Sequence, residues 1–241
     1  MVTVQLNLLG LRDGDVVLDA GCGEGRHSWE ACKQNHSTVI AFDIDWESLE
    51  KNKYTLALMK QKGEVNSNSY LLQADINSLP FKDGAFNRII CSEVLEHIPQ
   101  DQQALRELIR VLDNDGAMAV SVPHYFAESI CWRLSKDYYG FPGGHIRRYK
   151  TQQIVALLRS NRLNIYAIRR THALHSFYWI LRCMFGIKKK NALIPSLYYK
   201  FLTLDINNNH RARRWLEGFF NLIIPKSIVI YARKREHPSL Q

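Results

Sequence analysis

The stretch Val16–His27, VVLDAGCGEGRH, limits the fold more than any other part of the chain. Apolar residues suited to a buried strand run into three glycines at alternate positions, Gly21, Gly23 and Gly25, and a helical run follows. A strand, a glycine turn and a helix N-terminus open a doubly wound sheet, with backbone N–H groups and a positive dipole end at the strands' carboxyl edge. Dinucleotide folds use the spacing GxGxxG. Here it is GxGxG, and Asp19 stands two residues ahead of the first glycine. A carboxylate there repels pyrophosphate and welcomes an ammonium. An amino-acid moiety, with both ammonium and carboxylate, satisfies the acid and the bare backbone together.

The rest of the first 122 residues repeats the alternation. Segments 15–20, 37–44, 69–75, 86–93 and 117–123 read as strands, and 26–34, 46–61 and 103–112 as helices. Strands this continuously apolar imply a parallel sheet with helices on both faces. TQQIVALLRS (151–160) reads as a helix with Thr151 as N-cap, and 163–170 and 226–234 as a sixth and a seventh strand. The expected organisation is one domain over 1–241. A cofactor-binding core occupies 1–122, and a substrate-side loop, helix and sixth strand occupy 123–171. A helical insert or lid fills 172–225, and 226–234 is the final strand.

Two more acids end strands. Asp43, eighteen residues after Gly25, closes the second strand, where a carboxylate can accept both hydroxyls of a ribose. Asp75 closes the third and can accept from an adenine amino group while Ile76 packs on the ring. Each acid alone is weak evidence, since strand-end aspartates often only form turns. As an ordered set around one glycine turn they describe amino acid, ribose and adenine, which is S-adenosylmethionine. VLDAGCGEG, VIAFDID, QADINSLPFKDGAFNRIICSEVLEHI and LRELIRVLDNDGAMAVSVP together resemble the motifs of class I S-adenosylmethionine-dependent methyltransferases. The resemblance spans about residues 11–170 and the final strand. It implies a Rossmann-like α/β fold with seven strands, six parallel and the last antiparallel. It also implies cofactor contacts at Asp19, the glycine turn, Asp43, Asp75 and Ile76, with Ser92 and Glu93 flooring the site. Only about ten residues precede the RDGD turn, so the N-terminal helix that covers the cofactor in many relatives is expected to be short or absent.

Charge is divided unevenly: residues 1–120 hold 11 Lys+Arg against 18 Asp+Glu, and residues 121–241 hold 21 against 5. Such a split suits an anionic partner for the second half, with solvated basic faces as the competing explanation. SFYWILRCMFGIKKK, SLYYKFL and HRARRWLEGFF set aromatics beside Lys and Arg, as at a lipid interface, so the insert is expected either to touch anionic membrane or to serve only as a lid. No apolar run reaches the length of a membrane span, and five scattered cysteines form no zinc pattern, which fits a cytoplasmic setting. Among nine histidines, His145 in PGGHIRRY and His124 after the fifth strand are the candidates for base or acceptor contact. His97 is expected to shape its loop, and His172 and His175 to be structural. Arg147, Arg148 and Lys150 can hold an anionic acceptor or simply be solvated. No metal is suggested. The expected function is methyl transfer to a small-molecule, lipid-like or anionic acceptor. RNA methylation, a non-catalytic methyltransferase-like partner and, least of all, nicotinamide oxidoreduction are the alternatives. Nucleic acid is disfavoured by the lack of an RNA-binding module.

Overall fold

The computed structural model describes residues 2–34, 36–140, 144–189, 192–204 and 211–234. Seven strands form one sheet in the order β3-β2-β1-β4-β5-β7-β6. They are β1 Val16–Ala20, β2 Thr38–Asp43, β3 Asn68–Gln73, β4 Phe86–Ser92, β5 Leu112–Pro123, β6 Leu163–Thr171 and β7 Ser227–Lys234. The pairs among β1 to β5 are parallel, whereas β7 runs antiparallel to both β5 and β6. Six strands therefore share one direction and the last reverses, as the resemblance implied.

Alternate residues of each strand feed two cores. Leu18, Ile89, Met118, Val120 and Ile230 pack on one face, where α4 (Asp101–Val111) and α7 (Thr151–Ser160) contribute Leu105, Leu108, Ile154 and Leu158. Val17, Val39, Ile90, Ala119 and Tyr231 pack on the other, beneath α1 (Leu6–Leu9) and α2 (Arg26–Lys33). Burial on both faces is why these strands lack polar alternation. α1 spans four residues. α3 (Trp46–Gln61) begins where Asp45 accepts from the N–H groups of Glu47 and Ser48.

Several boundaries differ from the sequence reading. Asp113–Gly116, expected as a turn ahead of the fifth strand, lies within β5 as an irregularity: Phe86 pairs with Leu112, and Arg88 with Ala117. The N-cap of α7 is Lys150, not Thr151, and Gln153 Oε1 accepts from the Lys150 N–H at 2.9 Å. The expected loop after β5 contains two helices, α5 (Tyr125–Leu134) and α6 (Lys136–Tyr139). The insert is helical, with α8 (Ala173–Phe185), α9 (Leu193–Leu204) and α10 (Arg211–Ile223). Its α8 packs against α5, α9 and α10. Among the described residues no helix is long and apolar enough to cross a membrane.

Candidate active site

The three glycines differ in what keeps them bare. All have positive φ, at 65°, 52° and 95° for Gly21, Gly23 and Gly25. A Cβ on Gly21 would meet Val94 Cγ2 at 2.6 Å, and one on Gly25 would meet Asn52 Oδ1 at 2.1 Å. These two glycines let the turn close against the loop after β4 and against α3. A Cβ on Gly23 would meet nothing within 4 Å, so its face of the turn is open to a ligand.

The acids lie at one edge, as their strand order predicted. Asp19 is 2% exposed and accepts from Ser28 Oγ at 2.6 Å. Burial pushes its carboxyl up to about 6, against the lowering effect of that hydrogen bond. Asp43 Oδ2 accepts from the Gly23 N–H at 2.7 Å and Oδ1 from the Asp45 N–H at 2.9 Å, so this carboxylate also ties β2 to the turn. A carboxylate has about four acceptor positions, and two hydrogen bonds leave room for a diol. Asp75 is exposed and accepts from the Asn77 N–H, while Ile76 is buried in the core below it.

The loop after β4 turns sharply at Glu93, whose φ is 57°. Its N–H donates to Ser121 O at 3.0 Å, and Ser92 Oγ and Ser121 Oγ are 2.8 Å apart. A non-glycine residue in this conformation is uncommon and is held here by its surroundings. Glu93 Oε2 lies 3.9 Å from Lys226 Nζ, and burial raises its carboxyl while Lys226 pulls it down. The turn sends Glu96 into the interior and His97 towards α5.

There a cleft of about 360 Å³ opens, lined by His97, Tyr138, His145, Trp179, Lys226 and their neighbours. α5 contributes Glu128, 2% exposed, whose Oε1 accepts from His145 Nδ1 at 2.5 Å and from Trp132 Nε1 at 2.9 Å. Its Oε2 accepts from Tyr138 OH at 3.0 Å. Burial raises this carboxyl, but the hydrogen bond from His145 and the charge of Lys226 outweigh it, and the net direction is down. An ionised carboxylate only accepts, so a His145 proton sits on Nδ1 and, when the ring is neutral, its lone pair is on Nε2. That nitrogen can take a proton from an acceptor or bind a cation. His97, expected to shape its loop, is also in the cleft wall, its ring centroid 4.8 Å from that of His145.

The other sequence candidates lie elsewhere. His124 caps α5, and its N–H donates to Lys226 O at 2.9 Å. It is not among the cleft-lining residues, and burial and Arg170 push its imidazole down. Gly144 lines the cleft, whereas Gly143 lies outside the described residues. Arg147 pairs with Asp101 and donates to Pro99 O, and Arg148 lies over Trp132 at 4.5 Å and donates to Ser129 Oγ, so both are spent on structure. His172 Nε2 donates to Val2 O, consistent with a structural role. A larger hollow, about 680 Å³, lies between α3 and the edge strand β3, but no residue of the turn or the acid set lines it. Glu96, Glu128 and the part His97 plays were missed from sequence; 123–150 has no clear periodicity, and EVLEHI resembles any apolar turn.

A family model described as a methyltransferase domain matches residues 11–162. The chain belongs to the class I S-adenosylmethionine-dependent methyltransferases. The chain is 34% identical over 131 residues to the ubiquinone/menaquinone biosynthesis C-methyltransferase of Francisella tularensis subsp. novicida, covering 54% of this chain and 50% of the relative. It is 29% identical over 113 residues to the 27-O-demethylrifamycin SV methyltransferase of Amycolatopsis mediterranei, covering 47% and 40%. The chain thus spans half or less of the length of these relatives. A solved S-adenosylmethionine-dependent methyltransferase from Methanosarcina mazei shares the fold, with a TM-score of 0.63, 15% identity, and coverage of 98% of this chain and all of that one.

Proposed function

We propose that this methyltransferase passes the methyl group of S-adenosylmethionine to a small-molecule acceptor bound in the cleft beside His145. The observation that carries this reading is the Glu128–His145 pair, which fixes a histidine in the wall of a cleft beside the loop that packs on Gly21. Asp19 would hold the donor's ammonium, Gly21, Gly23 and Gly25 would leave room for its backbone contacts, and Asp43 would hold its ribose. Asp75 and Ile76 would meet adenine, and Ser92 and Glu93 would floor the site. Transfer breaks the C–S bond, leaves its electron pair on sulfur and forms the bond to the acceptor. Alignment for such a displacement can be worth roughly 7–11 kcal/mol. The relatives are named for ubiquinone/menaquinone biosynthesis and for 27-O-demethylrifamycin SV, and Trp179 and Tyr138 give this cleft an aromatic wall suited to a ring-bearing acceptor. Calorimetry with S-adenosylhomocysteine tests the donor site: Asp43→Ala should weaken binding by about 1.5–3 kcal/mol through loss of a charged hydrogen bond. Tight binding of NAD in its place would overturn the reading. Labelled S-adenosylmethionine with fractionated extract would reveal the acceptor, and His145→Ala should then lower turnover far more than donor affinity.

We further propose that the helical insert makes peripheral contact with anionic lipid. Leu193, Leu197, Trp215 and Leu222 are each more than half exposed on α9 and α10, in a stretch whose sequence is basic.

A further inference from the structure

Glu96 is the least accommodated group among the described residues. It is fully buried, at 0% exposure, and neither carboxylate oxygen has a hydrogen-bond partner there. A carboxylate removed from water without a partner is costly, so such a group is held either protonated or by a cation.

Two histidines converge on it. A carboxylate oxygen of Glu96, a ring nitrogen of His97 and a ring nitrogen of His145 all lie within 4.8 Å of one another. Each histidine is oriented from behind. His145 Nδ1 donates to Glu128, and His97 Nδ1 faces the carbonyl of Gly144 at 3.3 Å. A carbonyl oxygen only accepts, so His97 too carries its proton on Nδ1 and, when neutral, its lone pair on Nε2. This is how metal-binding imidazoles are fixed in tautomer and direction. Charge points the same way. Glu93 and Glu128 set two further carboxylates close enough to Glu96 to act on it, with Lys226 as a cation beside them.

We propose that Glu96, His97 and His145 form a binding site for a divalent transition-metal cation at the base of the cleft. Two imidazoles and a carboxylate suit Mn2+, Co2+ or Zn2+ better than Ca2+. The three donor atoms lie within 4.8 Å of one another and would draw together by side-chain rotation to hold one ion. Three protein ligands would leave a position for an oxygen of the acceptor, so the substrate class is one with a hydroxyl or enolic oxygen as nucleophile. A bound cation makes such an oxygen easier to deprotonate. This inference rests on the methyl-transfer reading above and gives His145 its part in it, as a ligand.

Mn2+ titrated into metal-stripped full chain, with free Mn2+ counted by electron paramagnetic resonance, tests the site. Co2+ absorption serves as a second probe of nitrogen ligation. The expected result is one ion per chain and a melting temperature that rises on saturation. Glu96→Gln should weaken Mn2+ at least tenfold, and His97→Gln likewise. Without metal, Glu96→Gln should melt at or above the wild-type temperature, because a neutral amide replaces an acid with no partner. S-adenosylhomocysteine binding, measured on every variant without metal, reports folding and the donor site separately. If that ligand binds but neither Mn2+ nor Co2+ does, or if the variants bind metal like wild type, the metal site is overturned and the methyltransferase reading stands. If S-adenosylhomocysteine fails to bind the folded wild type, both fall.

Discussion

Asp19 shows how a ligand-binding residue costs stability at the scale of a single side chain. Its carboxyl is pushed up to about 6 by burial, so the folded chain keeps a proton that the unfolded chain loses near pH 4. Between those values the native state binds more protons, and stability falls as pH rises. Holding the carboxyl that far above its ordinary value costs about 3 kcal/mol, all of it present at neutral pH. Asp19→Asn can still accept from Ser28, so it should unfold at higher urea than wild type at pH 7. The advantage should disappear below about pH 4, while S-adenosylhomocysteine affinity drops at least tenfold at pH 7. Equal urea midpoints at both pH values would show that burial does not strain this acid. The glycines make a second residue-scale test. Gly23→Ala meets open space and bears only the cost of positive φ, about 1 kcal/mol. Gly25→Ala adds a collision with Asn52, whose Oδ1 accepts from Trp29 Nε1, and should destabilise more in the same titration.

Among the elements, the N-terminal segment has a pH-sensitive attachment. His27 Nε2, on α2, accepts from the N–H groups of Thr3 at 3.0 Å and Val4 at 3.2 Å. Gln5 N–H donates to Tyr231 OH, so the segment is pinned to the face of the sheet that α1 covers. Protonating Nε2 removes both acceptor bonds, and burial holds this imidazole down at about 4. A folded value below the ordinary 6.5 means the contribution is complete above pH 6.5 and lost as pH falls towards 4. Hydrogen exchange of residues 3–9 should therefore accelerate between pH 6.5 and 4, beyond the intrinsic pH dependence, and more than exchange in β4. A segment whose protection tracks β4 through that range would show that His27 does not hold it.

For the whole molecule, the uneven charge and the insert point outward together. Acidic side chains concentrate in the half that builds the turn and its acids, and basic ones in the half that carries α8 to α10. Trp179 and Ile187 from the insert line the cleft, so this region walls the candidate site, and Trp215 and Leu193 are 70% and 73% exposed. Co-sedimentation with anionic vesicles should exceed that with neutral ones and fall steeply with salt, since each basic residue near the surface is worth about 1 kcal/mol. Trp215→Ala should weaken it further. Equal, negligible binding to both vesicle types would leave the insert as a lid alone.

The sequence by itself determined the alternation of strands and helices in a parallel core sheet and the edge at which Asp19, Asp43 and Asp75 gather, whereas the reversal of the last strand was implied only by the family resemblance. Each of those follows from local rules: apolar runs report burial of their own strand, positive-φ turns require glycine, and strand ends fix which edge a residue reaches. The cleft was decided only by tertiary structure. Glu96 sits in a loop, Glu128 on a helix whose pattern is weak, and His145 in an aperiodic stretch. Nothing in their own neighbourhoods records that they meet. What brings them together is the turn at Glu93 and the packing of α5 against α8, contacts between segments far apart in the chain. Periodicity shows which face of a segment is buried, not which distant side chain it is buried against, and the charge balance around Glu96 exists only once those segments close over it.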